Sequence, residues 1–110
     1  MLKFPGGGHE FGEGLKETLE REFKEELSLE IEVGDLFYVN DFPQISAFNK
    51  NHQLISFYFL VNCSKTNVIN SKSKKDLPFE GEHQFWIKLS DLSEEIMTFP
   101  IDKIVARKLN

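Results

Sequence analysis

The sequence predicts a small α/β (α+β) fold, and three observations support that class. A glycine-rich turn leads into one strongly patterned helix, short apolar stretches typical of strands follow, and a second helical pattern closes the chain. The chain has 110 residues, which is enough for one hydrophobic core. We therefore expect a single domain over residues 1–110.

The first helix is predicted to begin at Glu13 or Gly14 and to end at Leu27. Apolar residues recur along it every four positions, at Leu15, Leu19, Phe23 and Leu27. Such a stripe packs against a sheet in most globular proteins. We expect this side of the helix to face the core.

The same helix carries a second pattern, a cluster of glutamates called here the acidic face: Glu22, Glu25 and Glu26. Their spacing of i, i+3 and i+4 places the three carboxylates together, about 90° around the helix from the apolar stripe. Like charges at this spacing repel unless a cation lies between them. Hard oxygen ligands of this kind suit Mg²⁺ or Mn²⁺, although a charged run is more often a solvated surface.

The remaining segments are predicted from apolar runs and turn residues. Expected strands are Leu2–Phe4, Leu29–Val33, Leu36–Asp41, His52–Cys63 and Glu82–Leu89. Gly34-Asp35 is interpreted as a turn, and the run from His52 to Cys63 as a central strand of the sheet. Expected loops are Asp41–Asn51 and Ser64–Lys75, followed by a helical turn at Leu92–Met97 and a final helix at Pro100–Leu109.

Charge and cysteine content limit the class of partner and compartment. Acidic residues outnumber basic ones 18 to 13, giving a net charge of −5, and seven glutamates lie between Glu10 and Glu26. No basic stripe is present, so we do not expect binding to long nucleic acid. The single Cys63 cannot form an internal disulfide, and no signal peptide or long apolar span is evident. These features favour a cytoplasmic protein without a membrane partner.

The stretch from Gly7 to Leu29 resembles the Nudix box. That pattern reads Gly, five residues, Glu, seven residues, then Arg-Glu-apolar-any-Glu-Glu-any-Gly-apolar. Matching positions are Gly7, Glu13, Arg21, Glu22, Phe23, Glu25, Glu26 and Leu29. Ser28 stands where the family has its last glycine, and if that position needs left-handed geometry the serine costs on the order of 1 kcal/mol.

The resemblance implies a Nudix-like α/β/α sandwich with a mixed sheet. It also implies Mg²⁺-dependent hydrolysis (Mn²⁺ is an alternative cation) of a pyrophosphate bond in a nucleoside diphosphate linked to another group. Substrates in this class include ADP-ribose, nucleotide sugars and nucleoside triphosphates. By position, the implied metal ligands are the carbonyl of Gly6 and the carboxylates of Glu22, Glu25 and Glu26.

Residue roles follow from the same resemblance. Arg21 is expected to orient a carboxylate through a bidentate pair. Glu13 is interpreted either as an accessory acid near the metal or as a charge favoured at the helix start. The general base is either a box glutamate or an acid from a distant loop. Candidate bases outside the box are Glu82, which we prefer, and Glu80 and Asp76; a surface acid is the alternative reading of Glu82. The catalytic candidates are thus Glu25, Glu22, Glu82 and Arg21.

Five residues precede Gly6, whereas the family usually has strands before this loop. The expected fold is therefore shortened at its N-terminus, which would leave an unpaired sheet edge. A second copy of the chain could cover such an edge, so we expect a homodimer or strand exchange. The alternative function is a non-catalytic Nudix-like domain that binds a nucleotide or a protein.

Overall fold

A computed structural model describes residues 2–64 and 84–110. Its regular elements are helix α1 at Leu15–Leu27, strand β1 at Glu32–Val39, strand β2 at Phe57–Asn62 and helix α2 at Pro100–Leu109. Two short 3₁₀ turns, at Leu89–Asp91 and Glu94–Ile96, precede α2. The predicted α+β class is confirmed, and both helices lie where the sequence predicts them. None of the helices in these residues is long and apolar enough to cross a membrane.

Strands β1 and β2 form an antiparallel pair, with Glu32 opposite Asn62 and Val39 opposite Phe57. The expected turn at Gly34-Asp35 is wrong, because the chain continues through these residues within β1. The pairing is irregular between Val33 and Leu36. A Cβ built on Gly34 would lie 3.1 Å from the Leu60 carbonyl oxygen. Glycine thus marks a close approach of two strands at an irregular pairing, rather than a turn.

The expected long strand at His52–Cys63 is shorter in the structure and begins at Phe57. The side chain of buried Asn40 explains this difference. It donates to the Leu54 carbonyl at 3.0 Å and accepts from the Ser56 amide at 2.7 Å. These backbone groups therefore bond to a side chain instead of a neighbouring strand. Within the described residues β2 pairs with β1 alone, so the expected central position in a mixed sheet is not seen there.

Two further strand predictions also differ. Leu2–Phe4 forms no regular strand, because its backbone bonds to the Thr98 region rather than to a sheet. Of the expected strand at Glu82–Leu89, positions 82 and 83 lie outside the described residues. Residues 84–88 hold one isolated bridge position at Trp86, and Leu89 begins a 3₁₀ turn.

The core lies where α2 meets the segments before it. Leu92, Met97 and Ala106 are buried together, and the half-buried residues packed against them are Leu2, Phe4, Ile87, Ile96 and Leu109. Helix α1 buries Phe23, and the other members of its apolar stripe are half-buried. The stripe therefore faces inward as predicted, which leaves the acidic face of α1 toward the glycine loop.

Candidate functional site

The start of α1 is organised by glutamate side chains and glycines. Gly14 caps the helix in an extended conformation, and its amide donates to Glu17 Oε1 at 3.0 Å. Gly12 has a φ of +88°, a conformation that residues with a side chain rarely adopt. The chain therefore turns sharply before α1, and this turn directs Glu13 back toward the helix.

Glu13 is bound from several directions. Oε1 accepts from the Glu10 amide at 3.1 Å and from the Thr18 hydroxyl at 2.9 Å. Arg21 completes the set with two hydrogen bonds, from Nε to Oε2 at 2.8 Å and from Nη2 to Oε1 at 2.9 Å. Mainly because of the Arg21 hydrogen bonds, the pKa of Glu13 falls to about 2. Glu13 is therefore ionised at neutral pH and offsets the charge of Arg21.

Arg21 also joins the glycine loop to the acidic face. Its Nη2 donates to the Gly8 carbonyl at 3.1 Å. Its Nη1 donates to Glu22 Oε1 at 2.9 Å and to Glu25 Oε2 at 3.3 Å. The guanidinium pKa is raised first by the Glu13 hydrogen bonds and then by the Glu22 hydrogen bond and the charge of Glu10. One cation thus fixes the positions of a loop carbonyl and three carboxylates.

Glu22 lies against the glycine loop. Its side chain is only 13% exposed, and a Cβ built on Gly7 would overlap its carboxylate. Any residue other than glycine at position 7 would therefore push Glu22 away from its place. The sequence pattern contains Gly7, but this steric reason becomes visible only in three dimensions.

Glu26 interacts with Glu22 across one turn of α1. The pKa of Glu26 is raised, first by burial and then by a hydrogen bond and charge repulsion from Glu22, while Lys3 acts in the opposite direction. When two carboxylates lie near one another, the negative charge of each favours the protonated form of the other. A divalent cation would also stabilise neighbouring carboxylates, because it binds carboxylate oxygens without a proton.

The donor chemistry fits a hard cation, since the implied ligands are carboxylate oxygens and the Gly6 carbonyl. In residues 2–64 and 84–110, however, no three His, Cys, Asp or Glu side chains are grouped closely enough to hold a metal ion. Glu25 partly explains why no such group is found there, because it is bonded to Arg21 and its side chain is 61% exposed. Gly6 is exposed in the loop.

The structure brings together some of the predicted site residues. Arg21 contacts Glu22 and Glu25. Glu26 follows Glu22 by one turn of α1, and Glu22 helps to raise its pKa. The expected bidentate pair of Arg21 is present, with Glu13 as its partner. The loop candidates for a general base, Glu82, Glu80 and Asp76, lie outside the described residues. Their roles and that of Glu25 stay predictions.

Sequence reasoning missed three members of this network: Thr18, the Gly8 carbonyl and the Glu10 amide that donates to Glu13. Thr18 donates to Glu13 and is 5% exposed. Its position three residues before Arg21 puts it on the same side of the helix, so helical spacing offered a signal. The Gly8 carbonyl, which accepts from Arg21, carries no signal in the sequence, because any residue has a carbonyl.

Three comparisons with known proteins were made. A family model described as NUDIX domain matches residues 1–108. The search of curated proteins and the search of solved structures each found no significant match.

Proposed function

The chain belongs to the Nudix family, and on that basis we propose that it hydrolyses a pyrophosphate bond. The proposed substrate is a nucleoside diphosphate linked to another group, and the proposed cofactor is Mg²⁺. Support comes from the match over residues 1–108 and from the network around Arg21. That network is the observation that carries the proposal, because it places the glycine loop beside the acidic face.

Glu22 and Glu26 together with the Gly6 carbonyl would hold the cation, and Glu25 would be a further ligand where Glu82, rather than Glu25, is the general base. When bound, the cation would neutralise pyrophosphate charge and stabilise the attacking and leaving oxygens of the displacement. The spacing of Glu22 and Glu26 on α1 supports this assignment, because residues four apart lie on the same side of a helix.

Arg21 would position these groups rather than bind substrate. Its Nε and Nη2 are taken by Glu13, and its Nη1 is taken by Glu22 and Glu25. With these donors engaged, Arg21 is suited to holding carboxylates in place. Glu13 would then act as the charge partner of Arg21, so its role is linked to the acidic face through that residue.

Glu25 would act as the general base. Its exposed side chain is open to water, and Arg21 bonds to Oε2 only. The other oxygen, Oε1, would accept a proton from the attacking water. Glu82 is the second candidate for this role.

The test is product release from a panel containing ADP-ribose, a nucleotide sugar and a nucleoside triphosphate. Each compound is incubated with the protein in Mg²⁺ and, separately, in chelator. We expect one class to be cleaved in Mg²⁺ and none in chelator. If the folded protein binds Mg²⁺ and cleaves nothing in the panel, the proposal of hydrolysis of these substrates is wrong.

A second candidate function is a non-catalytic nucleotide- or protein-binding domain. The ion pair between Glu25 and Arg21 favours it, because this pair occupies one oxygen of the proposed base. Equilibrium binding of the same panel separates the two functions. Saturable binding without cleavage would support the binding domain, whereas turnover would exclude a purely non-catalytic role.

We also propose a homodimer in a reducing cytoplasm. Within the described residues β1 and β2 pair only with each other, so both are edge strands there and a second copy of the chain would pair with one of them. The unpaired thiol of Cys63 is compatible with a reducing compartment. Light scattering at micromolar concentration tests the dimer, and a monomeric mass would contradict it.

A further inference from the structure

Residues Leu2–Phe4, named here the N-terminal segment, are bonded to the chain just before α2. The Leu2 amide donates to Thr98 Oγ1 at 2.7 Å, and the Leu2 carbonyl accepts from the Thr98 amide at 2.9 Å. Two hydrogen bonds in opposite directions fix both the position and the register of Leu2 relative to Thr98.

Asp102 holds the other end of this segment. It lies in the first turn of α2 and is 6% exposed. Its Oδ1 accepts from the Tyr58 hydroxyl at 2.5 Å, and the backbone of Phe4 helps to lower the pKa of the carboxyl. The Phe4 ring also packs edge-on against the Tyr58 ring, with centroids 6.0 Å apart. The N-terminal segment, β2 and α2 therefore meet at one buried carboxylate.

A carboxylate is costly at this position, because burial disfavours its charged form. Burial raises the pKa of Asp102, while the Tyr58 and Phe4 hydrogen bonds and the charge of Lys3 lower it. Lys3 likewise lowers the pKa of Glu26. The charge of Lys3 in the N-terminal segment therefore acts on both Asp102 and the acidic face of α1.

The segment leads directly into the glycine loop. Pro5, which has a restricted backbone, separates Phe4 from Gly6. Gly7 gives space to the Glu22 carboxylate, and the Gly8 carbonyl accepts from Arg21. A shift at Phe4 would therefore move the groups that surround Glu22.

We propose that Asp102 is a positioning residue for the candidate active site. Together with Thr98, it anchors the N-terminal segment and thereby holds the Gly6–Gly8 loop against Glu22 and Arg21. The effect of Asp102 on cation binding rests on the proposed function, whereas its effect on the order of the Gly6–Gly8 loop does not. The two consequences are therefore measured separately.

The first measurement follows the loop without any cation. Backbone ¹⁵N order parameters of Gly7 and Gly8 are compared in the parent, Asp102→Ala, Thr98→Val and Thr98→Ser, all confirmed as folded by circular dichroism. We expect order parameters of about 0.85 in the parent and in Thr98→Ser, which keeps the hydroxyl. In Asp102→Ala and Thr98→Val we expect them to fall below about 0.6. Val105→Ala, at a buried position of α2 outside the Leu2 and Phe4 contacts, controls for general destabilisation.

The second measurement is Mn²⁺ affinity by electron paramagnetic resonance on the same chains, with Glu22→Gln as the ligand control. We expect Asp102→Ala and Thr98→Val to weaken Mn²⁺ binding roughly tenfold, and Val105→Ala and Thr98→Ser to leave it unchanged. If Glu22→Gln binds Mn²⁺ as tightly as the parent does, the proposed metal site is wrong. The order parameters alone would then test the anchoring role. Order parameters that do not differ between the parent and Asp102→Ala would overturn the anchoring role itself.

Discussion

Arg21 and Glu13 form a bidentate ion pair, with Nε 2.8 Å from Oε2 and Nη2 2.9 Å from Oε1. The pair joins the turn before α1 to the second turn of the helix. Because Arg21 also bonds to Gly8 and Glu22, this contact ties the helix start to the glycine loop and the acidic face.

Replacing Arg21 should change the titration of Glu13. The pKa of Glu13 lies at about 2, below its ordinary value of 4.5. Its ionised form therefore contributes stability that is fully present above pH 4.5 and is lost as pH falls through about 2. Arg21→Lys keeps a charge but loses the bidentate geometry, so the Glu13 midpoint should rise toward 4.5. Carbon NMR of the Glu13 carboxyl measures this, and a parent midpoint near 4.5 would argue against the pair in solution.

Gly7→Ala should displace Glu22 and lower turnover roughly ten- to a hundredfold. The added methyl group would overlap the Glu22 carboxylate. Gly8→Ala is the matched control, because a Cβ at that position meets nothing within 4 Å. Rates of the two variants are compared under the same conditions. Equal rates would show that the Gly7 contact with Glu22 does not matter for activity.

Ser28→Gly should stabilise the protein. Ser28 ends α1 in the left-handed region, with φ 54° and ψ 33°. This is the conformation expected at a position where the family has glycine. Removing this strain should increase the free energy of unfolding by about 1 kcal/mol and Tm by about 4 °C. Ser28→Ala retains a Cβ and should leave Tm nearly unchanged. Calorimetry on both variants checks this, and an unchanged or lower Tm for Ser28→Gly would reject the explanation.

Tyr58→Phe should destabilise the protein by about 1–3 kcal/mol, because it leaves buried Asp102 without one hydrogen bond. The pKa of Tyr58 is raised above its ordinary value of 10.0, first by burial and then by Asp102. The neutral phenol therefore contributes stability that is present below pH 10 and is lost as pH rises above it. Urea unfolding at neutral and alkaline pH should show the difference between parent and variant shrinking above pH 10. A constant difference would contradict the assignment.

The two helices could be predicted from the sequence because their signals are local. The repeat of apolar residues defines α1, and Pro100 marks the start of α2 at the predicted position. The strands could not be bounded in the same way. The end of pairing before Phe57 depends on the side chain of Asn40, and the irregularity at Gly34 depends on Leu60, which is distant in sequence.

The candidate site was predictable in its residue types but not in its contacts. The family resemblance implied that Arg21 orients a carboxylate through a bidentate pair, yet Glu13 as the partner required the turn at Gly12. The hydrogen bonds between Leu2 and Thr98 join residues at opposite ends of the chain. Helical or strand periodicity in the sequence does not predict a contact between residues so far apart in the chain.

The proposal that the acidic face carries the chemistry is tested most directly by Glu25→Gln beside Glu20→Gln. Both substitutions remove one charge from α1, but position 20 lies roughly 140° around the helix from position 25. With a cleaved compound from the panel and Mg²⁺, Glu25→Gln should lower turnover on the order of a hundredfold to ten-thousandfold, and Glu20→Gln should retain parental turnover. Equal turnover in the two variants would contradict a catalytic role for Glu25 and, with it, this account of the site.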